Sequence, residues 1–373
     1  MAKVYISDVG MTKFGRREES LQTLMYEAYA HAATARDPEF DAVFVGCMNP
    51  DEFVGDSNFA TLIVDHLGLY QTPSVRIDNA PASGSAAFEQ AFFSVASGHY
   101  EKVLVLAGEK MSALPTTIAT RILSKLIDKY ERSTGATMPA LAALVTRRYM
   151  HDYGLSREEL ALAAVKNHYN GTLNPYAQFQ KEISVDDVLK SKMIADPLRL
   201  YDCASISDGA CAVILTGSKT DVKVTGIGHA TDFLSLQYRD SLTSFNATKV
   251  AAKRAYERAH RQPKDIDVAE VHDAFTILEI VNPEDLGFFK LGEGVAALIE
   301  GKTGLNGEIP INPSGGLKAR GHPVGATGLA QICEIVWQLR GEAGKRQVPA
   351  NIGLCHNIGG FVNNNIVTIL ESC

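Results

Sequence analysis

Two histidines set among glycines and small polar residues carry the chemistry that this sequence can offer. His322 lies in the run Gly315-Gly316-Leu317-Lys318-Ala319-Arg320-Gly321-His322-Pro323-Val324-Gly325-Ala326-Thr327-Gly328, which leads into the apolar segment Leu329 to Leu339. With Pro323 placed to take the first helical position, the spacing predicts an imidazole at a helix mouth, where the dipole favours negative charge. A Gly-His-Pro turn by itself is more often a capped surface turn. Here three further segments accompany it: Asn79-Ala80-Pro81-Ala82-Ser83-Gly84-Ser85, Val271-His272-Asp273-Ala274-Phe275 and Cys355-His356-Asn357-Ile358-Gly359-Gly360. Among them are hydroxyls and a thiol that a histidine could serve as general base.

The elements that must position these residues read as alternating strands and helices. Strands are expected at Val4 to Val9, Ala42 to Gly46, Ser74 to Ile77 and Lys102 to Gly108, the last apolar enough to be buried on both faces. Helices are expected from Leu21 to Thr34, from Asn58 to Leu67, and from about Asp78-Asn79-Ala80-Pro81 to Ser97, with a loop beginning at Pro50-Asp51-Glu52. Such alternation predicts an α/β fold with a mainly parallel sheet covered on both sides. The pattern then repeats. Val222 to Gly228 matches Val4 to Gly10, Asp267 to Val271 matches Asp41 to Val45, and Ile309 to Asn312 before the Pro323 helix matches Val75 to Asp78 before the Pro81 helix. Three matches in the same order predict an internal duplication, two α/β halves back to back.

Between the halves, Thr116 to Lys192 is rich in charge and helix formers. Ser156-Arg157-Glu158-Glu159 has the form of a capping box opening a helix that ends near His168. The chain rejoins the first sheet at Cys211 to Leu215, after a polar turn from Asp202 to Gly209. The expected divisions are therefore 1–115 with 195–218 for the first half, 116–194 for an inserted helical lobe, and 219–373 for the second half.

Composition narrows the class. A chain of 373 residues with 46% hydrophobic and 21% charged residues is an ordinary globular protein able to bury a large core. Its net charge of -7 offers no footprint for nucleic acid. No apolar run reaches membrane-spanning length, and Met1 to Ser7 reads as an initiator followed by a strand rather than as a signal peptide. The six cysteines, Cys47, Cys203, Cys211, Cys333, Cys355 and Cys373, show no Cys-x-x-Cys spacing, so they are expected to be reduced thiols rather than a disulfide frame or zinc site. The ending Glu371-Ser372-Cys373 is no peroxisomal address. A cytoplasmic location, no metal, and no nucleic-acid or membrane partner are the expectations.

The four chemical segments together resemble the catalytic loops of the thiolase superfamily. The similarity is closest to the branch of sterol-carrier-type and archaeal thiolases, which has His-Asp-Cys/Ala-Phe in the second loop. It covers the whole chain and implies a five-layered αβαβα fold built from two duplicated halves with an inserted helical loop domain. It implies carbon–carbon bond formation or cleavage beside a CoA thioester by two-stage acyl transfer, with the CoA thioester as substrate or ligand and no permanently bound cofactor. A homodimer is the smallest assembly implied. A zinc-ribbon/OB-fold partner protein or an intact thiolase subunit is a further possible partner. Carried onto this sequence, the resemblance makes His322 the activating imidazole, His272 a donor to an enolate oxygen, and Gly359 and Gly360 the lining of the acyl site.

The resemblance fails at the nucleophile, where the family has cysteine and this chain has Pro81. Proline brings neither a nucleophile nor the backbone N–H that helps form the family's second oxyanion hole, yet it is tolerated near a helix start. Two family positions for an acid/base cysteine are also empty of thiol: one is Ala274, the other Asn357. Cys355 lies two residues before Asn357 and is either a catalytic thiol or a buried strand thiol. Ser83 and Ser85 are candidate nucleophiles with His322 as base, or small residues that let two central helices pack closely. Tyr5, Tyr201 and Tyr238 are candidate acids for a retro-aldol variant. Arg147, Arg148 and Lys166 are candidate CoA-phosphate contacts, or simply solvated helix charges. Two functions stay open: an enzyme acting on acyl-CoA or 3-ketoacyl-CoA thioesters, by acyl transfer or by a cleavage without the covalent relay, and a non-catalytic subunit that binds acyl-CoA or a catalytic partner.

Overall fold

The apolar runs expected as strands meet in one nine-stranded sheet in the computed structural model, which describes residues 2–33 and 39–373. The first half contributes β1 (Val4–Met11), α1 (Leu21–Ala32), β2 (Ala42–Gly46), α2 (Pro50–Phe53), α3 (Phe59–His66), β3 (Ser74–Ile77), α4 (Ser83–Ala96) and β4 (Lys102–Lys110). Five helices follow: α5 (Thr116–Ser124), α6 (Lys129–Ser133), α7 (Met138–Tyr153), α8 (Arg157–Thr172) and α9 (Val185–Lys190). A small hairpin, β5 (Met193–Ala195) and β6 (Leu198–Arg199), leads back to β7 (Asp208–Thr216). The second half holds β8 (Val222–Thr231), α10 (Asn246–Ala259), β9 (Val268–Glu270), α11 (Leu278–Asp285), α12 (Gly294–Ile299), α13 (Gly316–Ala319), α14 (Thr327–Arg340), β10 (Ile352–Gly359) and β11 (Asn364–Ser372).

Strand order makes the duplication visible. The sheet runs β3-β2-β4-β7-β1-β8-β11-β10-β9, and an isolated parallel bridge from Ala269 to Ile311 extends it past β9. Reading outward from the central β1–β8 pair, each half has two antiparallel pairings followed by two parallel ones. The sheet is thus mixed rather than mainly parallel. The second half shows why: only four residues join β10 to β11, too few for the crossover that parallel strands require.

Side-chain alternation sorts the core into layers. From β4, Val103, Val105 and Ala107 face inward to a central core that also holds α4 and α14, while Leu104 and Leu106 pack on the other face against α1 and α3. In the second half, Cys355, Ile366 and Leu370 face the same central core, and Leu354, Val367 and Ile369 pack against α10. Helices therefore lie outside, between and outside two sheet halves, which is the five-layered α/β arrangement. The two middle helices approach closely because both are glycine-rich at their N-terminal ends. A Cβ on Gly84 would stand 2.7 Å from Gly325 O and 3.3 Å from Leu329 N, and one on Gly328 would stand 2.1 Å from Ser85 Oγ.

Local boundaries depart from the expectations where backbone turns intervene. Pro50–Phe53 is a short helix rather than a loop. The Pro81 helix begins later than expected, at Ser83, because Ala80 adopts φ +53° and residues 79–82 form a tight turn closed by Ala82 N–H on Asn79 O. Pro323 precedes a short 3-10 turn, and the helix proper begins at Thr327. The expected helix end at Thr34 lies outside the described residues. The capping box at Ser156 and Glu159 is present and opens α8.

The glycine contact gives a direct test. We expect Gly84→Ala to lower unfolding free energy by about 1–3 kcal/mol, since the added methyl meets backbone that cannot rotate away, measured by denaturant unfolding against wild type.

Candidate active site

Backbone glycines first fix the place of His322. Gly315, Gly316 and Gly321 have φ of +94°, +59° and +114°, and a Cβ on Gly321 would meet Ser207 Oγ at 2.9 Å. His322 N donates to Ser207 Oγ at 3.0 Å, and Ser207 in turn hydrogen-bonds Gln178. The ring is anchored through Nδ1, 2.7 Å from Thr327 Oγ1, whose hydroxyl also reaches Pro323 O at 3.1 Å.

His272 follows β9 and is held by both neighbouring elements. Its carbonyl accepts from Asn282 Nδ2 at 2.9 Å, and its Nδ1 lies 3.1 Å from the Asn357 amide and 3.3 Å from Ile358 N. The tertiary fold brings the two imidazoles together with ring centroids 5.1 Å apart and planes at 89°. Both are buried. Burial pushes His322 down to about 3, with the nearby Arg320 charge adding to it, and burial also holds His272 well below the ordinary range. Near neutrality both rings are uncharged.

A buried polar network fastens these loops to the inserted lobe. Asp273 accepts from Leu317 N at 2.6 Å and Asn167 Nδ2 at 2.7 Å. Asn170 donates to Asn312 O at 3.0 Å and Asn174 to Ser314 O at 2.9 Å, while Lys166 pairs with Glu279. Beneath it, Arg320 and Glu270 form a fully buried ion pair at 2.9 Å, joined by Ser314. Sequence reasoning missed Asn167, Asn170 and Asn174. Part of their signal was present, since Asn167 and Asn170 stand at i and i+3 on one face of α8, while Asn174 lies just beyond the helix end.

The imidazoles line a cavity of about 890 Å³ together with Pro81, Ala274, Ile358 and Gly360. Its upper wall comes from the inserted segment, including Thr116, Thr120 and Leu123 of α5 and Met138 of α7. Arg16 is the sole charged residue among the described lining residues, so the deep part suits an uncharged, largely apolar chain.

The other expected residues fall elsewhere. Ser83 Oγ donates to Ala80 O at 2.6 Å and accepts from Asn79 N, so its hydroxyl is occupied within the turn. Ser85 Oγ lies 3.0 Å from the Asn357 amide, and neither serine lines the cavity. Cys355 points into the central core, where burial raises its thiol well above the usual range. Alternation along β10 puts it on the face opposite the cavity-lining Ile358 and on the same face as Asn357, but it does not line the cavity. Gly359 is pressed against Asn79 O rather than lining the cavity. Tyr5 is buried in β1, and Tyr5, Tyr201 and Tyr238 all lie outside the lining. Lys166 is committed to Glu279 and Ile311 O, Arg147 pairs with Asp196, and Arg148 pairs with Asp152 on the exposed lobe surface. One thiol does line the cavity. It is Cys203, which the sequence had not singled out, and burial beside Asp202 pushes it up to about 12, so it is a protonated thiol.

Comparison with known proteins agrees with this architecture. Residues 4–219 match the family model "Thiolase, N-terminal domain", and residues 228–372 match "Thiolase C-terminal domain-like". An acetyl-CoA acetyltransferase of Methanothermobacter thermautotrophicus is 44% identical, the alignment covering 96% of this chain and 97% of that protein. Human sterol carrier protein 2 is 36% identical, with 96% of this chain and 70% of that protein covered. Among solved structures, "Ltp2-ChsH2(DUF35) aldolase" has TM-score 0.85 at 23% identity and covers 100% of this chain and 98% of its own.

Burial of His322 has a pH consequence. Its folded value near 3 lies below the unfolded value of about 6.5, so the unfolded chain binds the proton first and stability falls as pH drops through that window. We expect this one group to account for about 2 kcal/mol of loss between pH 7 and pH 5. His322→Asn should therefore show that much shallower a decline in urea-unfolding free energy over the same range.

Proposed function

The chain belongs to the thiolase family, and from that membership we propose that it acts on CoA thioesters by carbon–carbon bond chemistry that forms no covalent acyl-enzyme. The observation that carries this reading is Pro81: it stands at the cavity wall beside two neutral imidazoles, in the place where acyl transfer needs a thiolate. Neither Ser83, Ser85 nor Cys355 opens onto the cavity to replace it. What remains is proton transfer. His322 and His272 are held by Thr327 and Asn357, close enough to share one substrate, in a pocket whose described lining carries Arg16 as its one charged residue.

In this reading the acyl chain lies against Phe275, Leu278 and the α5 face, and the inserted segment, residues 116–194, serves as the cover that separates it from water. Carbonyl polarisation falls to the imidazoles and to the Gly360 turn. The protein works as a cytoplasmic homodimer or larger assembly, with a zinc-ribbon/OB-fold protein or an intact thiolase as a possible further subunit. A second reading, a non-catalytic subunit that binds acyl-CoA in support of such a partner, draws on the same Pro81 and is separated from the first by turnover.

Intact-protein mass spectrometry after incubation with acetyl-CoA and a panel of longer acyl-CoA and 3-ketoacyl-CoA thioesters gives the test. We expect no adduct on wild type, an adduct at position 81 in Pro81→Cys because His322 is already in place, and carbon–carbon cleavage of the thioester's acyl chain by wild type that falls by about 100-fold or more in His322→Ala. A stable acyl adduct on the unaltered protein would overturn the non-covalent reading. Binding without any turnover would favour the non-catalytic subunit.

A further inference from the structure

A relay of hydrogen-bonded side chains runs from the edge of the second half to the turn that carries Pro81. Glu89, buried on α4, places Oε2 2.7 Å from Nδ1 of His229 on β8. Nε2 of the same ring lies 2.7 Å from Asn364 Oδ1 on β11, and Asn364 Nδ2 donates to Asn79 Oδ1 at 2.6 Å. Asn79 belongs to the turn: its carbonyl accepts from Ala82 N at 3.0 Å, and its N–H donates to Ser83 Oγ at 2.9 Å. A Cβ on Gly359 would stand 2.6 Å from Asn79 O and 3.4 Å from Asn364 Cβ, so this end of the relay packs tightly against the strand that leads to the cavity-lining Gly360.

The donors and acceptors of the relay fix the charge of its ring. Asn364 gives its NH2 to Asn79, so its oxygen faces Nε2, and that nitrogen carries a proton. Nδ1 faces a carboxylate, which only accepts, and so carries a second. A ring protonated on both nitrogens is an imidazolium, and here it pairs with Glu89 across the two halves of the fold. The His229 side chain is 30% exposed, which lets its proton exchange with water. The hydrogen bond from Glu89 is the chief cause that raises the ring above its ordinary value; burial and Arg254 of α10, which donates to His229 O, oppose it, and Asn364 adds to it. Asp78, whose Oδ1 accepts from Ala80 N, and the neighbouring Arg76 are the charged groups at the turn itself.

With one proton removed, the relay cannot stay as it is. If Nδ1 still donates to Glu89, a bare Nε2 faces the Asn364 oxygen, acceptor against acceptor. Turning the Asn364 amide over restores a donor at Nε2. The Asn364 oxygen then faces the Asn79 oxygen, and the Asn79 amide must turn as well.

We infer that Glu89, His229 and Asn364 are positioning residues that carry the protonation state of His229 to Asn79, and through it set the turn that holds Pro81 at the cavity wall. The inference goes beyond the functional reading above, since it concerns the shape of the site and needs no turnover. Its sign follows from the raised folded value: the paired, charged state is complete below about 6.5 and is lost as pH rises through the folded value.

Nuclear magnetic resonance of the full-length protein labelled with 15N reads both ends of the relay. The His229 ring nitrogens, assigned by their loss in His229→Gln, should both carry protons at pH 6 and titrate above about 6.5, and Glu89→Gln should lower that midpoint. At the other end, exchange of the Ala82 amide with D2O, corrected for its intrinsic rate, should quicken by about 10-fold as pH passes the midpoint, the scale of one hydrogen bond. Asn364→Asp separates the two ends. An aspartate still accepts from Nε2, so His229 should stay charged to at least the wild-type midpoint; it cannot donate to Asn79, so the step at Ala82 should vanish. A role in packing alone would couple neither end to pH. A bare ring nitrogen on His229 at pH 6, or Ala82 exchange that passes the midpoint unchanged, overturns the inference, and the wild-type protein alone decides it. A step at Ala82 that persists in Asn364→Asp overturns the route through Asn364. No substrate enters these measurements, so their outcome is separate from that of the adduct and turnover tests above.

Discussion

Everything at the candidate site depends on how closely α4 and α14 approach one another in the middle of the molecule. Gly84 lies against Gly325 O, and Gly328 lies against Ser85, with no room for a Cβ at either place. That contact joins the two halves of the sheet back to back, and it carries the turn holding Pro81 to the loop holding His322. A methyl group of extra spacing would move apart the residues that line one end of the cavity. The glycines are therefore part of the site's geometry although they do no chemistry.

The second constraint is polar and comes from the inserted lobe. Asparagines along one face of α8 and just beyond it reach the loops around Asp273, Asn312 and Ser314, while Arg320 and Glu270 close the network underneath. Such a network is costly to leave incomplete in a buried setting, so it fixes the loops in one arrangement. The same burial keeps both imidazoles of the candidate site neutral. Rigidity and loss of charge thus have one cause.

Pro81 sits where the fold can accept a proline without changing its form. The residue stands two positions before the first helical residue of α4, in a turn closed by Asn79 and Ala80, where the missing N–H removes no helix bond. Nothing in the packing of the two halves depends on a thiol at that point. The imidazoles and the cavity remain beside it, which is what the proposed proton-transfer chemistry needs.

Much of this was written in the sequence. The repeated strand segments foretold the duplicated sheet and the four short motifs foretold the family, because each depends on residue type at a fixed local spacing. Strand direction was not legible: β7 returns after the long inserted lobe and β11 is turned back by a four-residue link, and strand periodicity shows neither. Nor could spacing show that Ser83 is consumed by its own turn, that Cys355 faces the central core, or that Cys203 opens on the cavity. The sequence by itself determined which groups were available and which were absent. The tertiary structure decided which of them meet and how deeply they are buried, since those depend on contacts between segments far apart in the chain.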